Sequence, residues 1–302
     1  MNRNAILSTV GLTSYRSPIV ELRRLFPPEQ AKVLLKLETA GPTGGSKDRV
    51  VCFMLDAAIE LGLVASNSRI VEASSGAAGF ALAAATAMRG LRLTLFAPEG
   101  SHADRLETFR ALGTKLEFTP KRKGMSGALR EAQKAASEPN VWSPNLFDNP
   151  ANPGAHEVTT GPEIWNATQG RIDTFVAGVG SGGTFTGIGR YLRRRRSGIE
   201  LVAVEPKECA ILSGGKPGAH GIVGLGPGFV SNVFDRNLPT NIETVTTEEA
   251  ALWSRKLAET EGLVCGISTG ANLAAVSRIV AKRENREKTI VSIAFSSSLS
   301  HY

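Results

Sequence analysis

The residue best suited to covalent chemistry is Lys47, which closes the glycine-rich turn GPTGGSKDR (residues 41–49) and opens a helical pattern with Asp48 and Arg49. A lysine amine attacks an aldehyde only in its neutral form, which desolvation or nearby positive charge, as at a helix N-terminus, favours. Lysines are also common on surfaces, so a solvated Lys47 stands beside that reading. Two more turns, ASSGAAG (73–79) and GVGSGGT (178–184), each separate a strand pattern from a helical one. Such turns gather at one edge of a parallel α/β sheet, where helix N-termini present unpaired N–H groups and attract anions. In GVGSGGT the glycines let the main chain approach a phosphate, and Ser181 and Thr184 add hydroxyl donors. Gly178, Gly180 and Gly183 also spell GxGxxG, and Glu205 ends the next strand where a ribose-binding acid is expected. A nicotinamide or flavin enzyme is therefore a rival, although it would give Lys47 no task.

The elements that must position these turns follow in alternation. The strand patterns are KVLLKLE, RIVEAS, LRLTLFAP, KLEFTP, DTFVAGVG, ELVAVEP and TIVSIAF. Helical patterns fall near residues 47–62, 79–88, 102–112, 125–137, 184–195 and 247–261, with another from Gly270. This punctuation predicts an α/β fold of doubly wound, mainly parallel sheets covered by helices. The chain has 302 residues, twice the usual domain length, so two domains are expected. The Asn- and Pro-dense stretch at 143–156 marks the junction, giving 1–148 and 149–302. GLGPGF at 224–229 reads as a loop of the kind that lines a site.

Bulk properties narrow the class. A hydrophobic content of 42% with 21% charged residues is that of an ordinary globular protein. The start carries no signal-peptide pattern and no stretch reaches the ~20 apolar residues of a membrane-spanning helix, so a cytoplasmic protein without membrane contact is expected. Cys52, Cys209 and Cys265 have neither disulfide-framework nor zinc-ligand spacing, and no metal is expected. The net charge of +7 does not imply nucleic acid, because its densest cluster, Arg193–Arg196, follows an amphipathic stretch without interleaved aromatics. Cations there complement a helix C-terminus.

The three turns together resemble a known family. GPTGGSKDR is similar to the lysine motif of the β-family (fold type II) pyridoxal-phosphate enzymes, ASSGAAG to their substrate turn, and GVGSGGT to their phosphate loop. FDNPANPGAH, TTGPEIW, VAVEP, SGG with His220, GLGPGF and EGLVCGISTGA resemble the cysteine synthase (O-acetylserine sulfhydrylase) subgroup, so the likeness spans nearly the whole chain. It implies pyridoxal 5'-phosphate in a cleft between two domains of a homodimer, with Lys47 as its Schiff-base residue. Gly180, Ser181, Gly182, Gly183 and Thr184 would hold the phosphate, and Ser298 would face the pyridine nitrogen. A neutral hydroxyl there cannot keep that nitrogen protonated, which favours loss of a β-substituent over transamination.

The chain also departs from that pattern. Relatives usually read TSGNTG at the substrate turn, where this chain has Ser74, Ser75, Gly76, Ala77, Ala78 and Gly79. A glutamine that usually precedes the FDNPANP phenylalanine is Leu146. Three polar contacts to the substrate or cofactor thus become apolar, and each lost hydrogen bond to a charged group is worth roughly 1.5–3 kcal/mol. The turn before Lys47 reads GGSK rather than GGSxK, closer to the PTGSxK of threonine synthases.

The expectation is β-replacement on an O-activated L-serine by a small nucleophile, O-acetylserine and sulfide by analogy. One alternative is a specialised β-substituted alanine synthase or β-eliminating lyase. The other is a non-catalytic family member that binds or regulates. His156 is expected to be structural, His102, His220 and His301 lack partners at metal-ligand spacing, and Trp142, Trp165 and Trp253 are expected to pack in the interior.

Overall fold

The computed structural model describes residues 16–74, 76–101 and 106–297, and these divide into two compact units. The first, from Gly41 to Ala151, holds a four-stranded parallel sheet. Its strands are β3 (Arg69–Ala73), β4 (Arg92–Pro98), β5 (Lys115–Thr119) and β6 (Val141–Trp142), in the order β5-β4-β3-β6. The helices are α1 (Lys47–Glu60), α2 (Ala77–Ala87), α3 (Leu106–Ala111) and α4 (Gly124–Ala136). Leu55, Ile70, Leu82, Leu95 and Phe109 are fully or almost fully buried together in its core.

The second unit contains Arg16–Ala40 and the chain from Asn152 onward. Its sheet runs β1-β2-β10-β7-β8-β9, from β1 (Ile19–Glu21), β2 (Lys32–Leu37), β7 (Thr174–Gly178), β8 (Glu200–Pro206), β9 (Asn241–Val245) and β10 (Thr289–Ala294). Only β1 is antiparallel to its neighbour. The helices are α5 (Ala151–Ala155), a π turn at His156–Thr160, α6 (Gly161–Ala167), α7 (Gly183–Arg195), α8 (Thr247–Glu261) and α9 (Ile267–Val280). Alternate strand residues feed opposite faces. Val33, Val176, Val202 and Ile290 join Leu257, Leu273 and Val276 from α8 and α9. Leu34, Phe175, Leu201 and Val291 join Phe185, Ile188 and Leu192 from α7. Burial on both faces is why these strands read as continuous apolar runs rather than alternating ones.

The α/β class with two mainly parallel, helix-covered sheets is as expected, but three local readings change. The partition is not two consecutive halves: residues 16–40 belong to the second unit because β2 hydrogen-bonds along its length to β10, and the break falls after Ala151 rather than after residue 148. The Asn/Pro stretch leads into a helical run at Ala151–Ala167, with Pro153 tolerated in its first turn. β9 was not apparent in the sequence because it is a half-polar edge strand with only Val245 fully buried.

Each sheet has one place where strand order reverses. In the first unit the chain runs from β3 outward to β4 and β5, then returns to β6 on the other side of β3. In the second it runs from β7 to β8 and β9, then returns to β10 on the other side of β7. In open α/β sheets, ligands bind beyond the carboxyl ends of the strands at such points.

Candidate active site

Lys47 is the first residue of α1, and the turn before it is held by its neighbour. The Asp48 carboxylate accepts hydrogen bonds from the Thr43 N–H at 3.0 Å and the Thr43 hydroxyl at 2.6 Å. Any side chain at Gly41 would overlap that carboxylate, which explains the first glycine of the motif. Asp48 also complements the positive end of α1. Although Lys47 is only partly shielded as a residue, burial of its amine pulls the pKa down to about 8. The neutral amine therefore becomes the major form above about pH 8 instead of above the ordinary 10.5. The rate at which Lys47 combines with pyridoxal, followed by absorbance against pH, should rise with a midpoint near 8.

The ASSGAAG turn leaves β3 at that sheet's reversal point. Ser74 is buried, and its hydroxyl oxygen accepts the N–H of Gly79 at 2.9 Å and, more weakly, that of Gly76 at 3.3 Å. Gly76 begins α2 from an extended backbone, and a Cβ there would meet nothing within 4 Å. Neither strain nor packing calls for this glycine, so its site is open to a ligand. Ala77 and Ala78 are half-buried in the first turn of α2. Leu146, also half-buried, lies in the segment after β6 on the other side of the same reversal. Glu72, near the end of β3, joins the two segments by accepting the N–H groups of Ala73 at 2.9 Å and Asn145 at 3.1 Å, together with that of Leu146. Burial pushes its pKa up to about 7 despite these bonds. The sequence reading did not single out Glu72, since one acid in a strand carries no local signal.

In the second unit Gly180, Ser181, Gly182, Gly183 and Thr184 form the connection from β7 into α7, at that sheet's reversal. Close approach explains the glycines. A Cβ on Gly180 would overlap the Gly224 carbonyl oxygen of the GLGPGF loop, and one on Gly183 would overlap the Asn152 amide. Gly182 has φ +86°, a left-handed conformation, and its Cβ would lie 2.6 Å from that of Phe234. Ser181 and Thr184 are both buried. Asn152 Nδ2 donates to Ser181 Oγ at 3.1 Å, and the fully buried His156 places Nε2 3.0 Å from Thr184 Oγ1. The Ser231 hydroxyl donates to the Ser181 carbonyl. The result is a backbone-walled cradle with two hydroxyls, which fits a phosphate monoester.

The nucleotide reading loses its acid. Glu205 is 1% exposed and accepts the N–H groups of Leu212 at 2.7 Å and Ser213 at 2.9 Å, so it holds a loop instead of facing a ribose. His220 shapes the GLGPGF loop through Nε2 and the Gly226 carbonyl, 3.0 Å apart. The Cys265 thiol is pushed up to about 11 by burial, away from reactive thiolate. At the end of α7, Arg194 pairs with Glu157, Arg196 pairs with Asp173, and Arg195 lies over the Tyr191 ring. Trp142, Trp165 and Trp253 pack against the hydrophobic clusters.

Ser75, Ser298, His102 and His301 lie outside the described residues. Within them, the carboxyl edge of β10, the neighbour of β7, offers other hydroxyls. Ser268 and Thr269 are buried in the first turn of α9, and the Gly266 N–H bonds to the Ser296 carbonyl at 3.0 Å. The Thr269 and Ser296 hydroxyls are buried without a hydrogen-bond partner among the described residues. The GISTGA string contained this signal.

A family model described as pyridoxal-phosphate dependent enzyme matches residues 10–296. A cysteine synthase of Staphylococcus aureus is 38% identical over 279 residues, covering 92% of this chain and 89% of the relative. Among solved structures, cysteine synthase from Entamoeba histolytica superimposes with a TM-score of 0.95 at 34% identity, covering 99% of this chain and 90% of that one. O-ureido-L-serine synthase gives 0.93 at 35% identity, covering 98% and 93%.

Proposed function

Because the chain belongs to the pyridoxal-phosphate-dependent enzymes of the cysteine synthase family, we propose that it replaces the β-substituent of an O-activated L-serine, recognising the amino acid chiefly through its main chain. When bound, pyridoxal phosphate supplies an electron sink for charge at the amino acid's α-carbon. Lys47 Nζ takes and returns the α-proton, a task its depressed pKa suits near neutrality. Gly180–Thr184 would hold its phosphate with main-chain N–H groups and the Ser181 and Thr184 hydroxyls. The pyridine nitrogen would be served by a serine hydroxyl, either that of the buried Ser268 or that of Ser298, which lies outside the described residues.

The observation that carries the reading is the pairing of this intact lysine and phosphate machinery with an apolar substrate turn. The half-buried Ala77, Ala78 and Leu146 offer no side-chain hydrogen bond, whereas the open space at Gly76 and the main-chain N–H groups of Ala77 and Ala78, which Ser74 does not hold, remain for a carboxylate. The Ser74 oxygen accepts two N–H groups and so holds the turn in shape. Family members act on more than one partner, since one solved relative is named an O-ureido-L-serine synthase. A second reading, elimination without replacement, draws on the same three apolar residues. L-serine, O-acetyl-L-serine and O-phospho-L-serine, each with and without sulfide, should separate the two. Consumption of an O-activated serine to a β-substituted alanine supports replacement. Keto acid released at the same rate with or without sulfide would reject it for elimination.

A further inference from the structure

Asn152 and His156 stand one helical turn apart, in α5 and at the start of the π turn, and they reach the two hydroxyls of the phosphate cradle separately. Asn152 takes Ser181 at 3.1 Å and His156 takes Thr184 at 3.0 Å. Both are at most 1% exposed. The contact is built in on the other side as well. Side chains at Gly183 and Gly187 of α7 would overlap Asn152 and the Pro153 carbonyl respectively, so these glycines let α7 lie against the segment.

We infer that Asn152 and His156 are positioning residues that set the hydrogen-bond polarity of Ser181 and Thr184, so that both hydroxyls donate to the cofactor phosphate. This rests on the reading that Gly180–Thr184 hold that phosphate. A hydroxyl has one proton and two lone pairs, and a phosphate dianion offers only acceptors. The Asn152 amide nitrogen can only donate, so Ser181 Oγ accepts from it and keeps its proton for another partner.

For His156 the buried threonine behind it decides the tautomer. Nδ1 lies 2.9 Å from Thr160 Oγ1, and Thr160 is fully buried with no other side-chain hydrogen bond among the described residues. If Nδ1 carried the ring proton, the Thr160 proton would be left buried without an acceptor, and Thr184 would have to spend its own proton on Nε2. With the proton on Nε2, Thr160 donates to Nδ1, Nε2–H donates to Thr184 and the Thr184 proton is directed to the ligand. Only this arrangement leaves no buried donor idle.

The test compares binding of pyridoxal 5'-phosphate and of pyridoxal to the apoprotein, with circular dichroism to check folding and the 31P resonance of bound cofactor as a second readout. His156→Leu should lower the preference for the phosphorylated form by about 10- to 100-fold, with pyridoxal affinity unchanged. His156→Gln, which retains a donor toward Thr184, should recover most of that preference. Thr160→Val, which frees the tautomer without touching the cradle, should cost part of it and shift the 31P resonance. If His156→Leu fails to fold, the comparison of His156→Gln with Thr160→Val decides. Equal losses for both ligands, or an unchanged preference in Thr160→Val, would overturn the inference. A wild-type apoprotein that binds the two forms equally would instead refute the phosphate-cradle reading itself.

Discussion

Replacing Lys47 with alanine is expected to cut turnover by about 1000-fold or more, and to abolish fixation of the cofactor to the chain by borohydride. The fold should survive. Asp48, not Lys47, ties the preceding turn together through Thr43, and alanine is a good residue for the start of a helix. Lys47→Arg should be nearly as inactive, because a guanidinium does not give up its proton at working pH and cannot accept one from the substrate. Steady-state turnover of wild type and both variants, with far-UV circular dichroism, checks this.

Gly180→Ala should be strongly damaging to the second unit. The Cβ would overlap the Gly224 carbonyl oxygen, a main-chain atom within GLGPGF that cannot swing aside as a side-chain tip could. Relief requires the two loops to separate, at a cost of roughly 1–3 kcal/mol. The same separation opens the phosphate cradle, so cofactor affinity should fall with stability. Gly76→Ala provides the contrast: its Cβ meets no neighbour and its backbone is extended, so stability should change little while substrate binding weakens. Urea unfolding of both apoproteins, with cofactor titration, separates a packing glycine from a ligand-approach glycine.

These two glycines illustrate what a sequence discloses. The GPTGGSK, SSGAAG and GVGSGGT turns are local strings whose backbone demands are written in their composition, and the structure places each at the start of a helix. Long-range partners are not written that way. Residues 16–40 look N-terminal but complete the second sheet, because the apolar KVLLKL run says that a strand exists and not that β10 is its neighbour. Asn152 and His156 lay within a stretch whose Asn and Pro content reads as a linker, and their role appears only once Gly183 and Gly187 bring α7 against them. Glu205 shows the converse: its position fits a nucleotide motif, yet its carboxylate is engaged by main-chain N–H groups. The apolar Ala77, Ala78 and Leu146 were visible as departures, while the Glu72 carboxylate that ties the Leu146 segment to β3 was not.

The central claim is that Lys47 carries the cofactor, and the site of attachment tests it most directly. Holoprotein reduced with borohydride, digested and mapped by mass spectrometry should carry a single pyridoxyl-phosphate mass on the peptide containing Lys47. A reduced adduct on another lysine, or none on protein that has taken up the cofactor, would contradict the account.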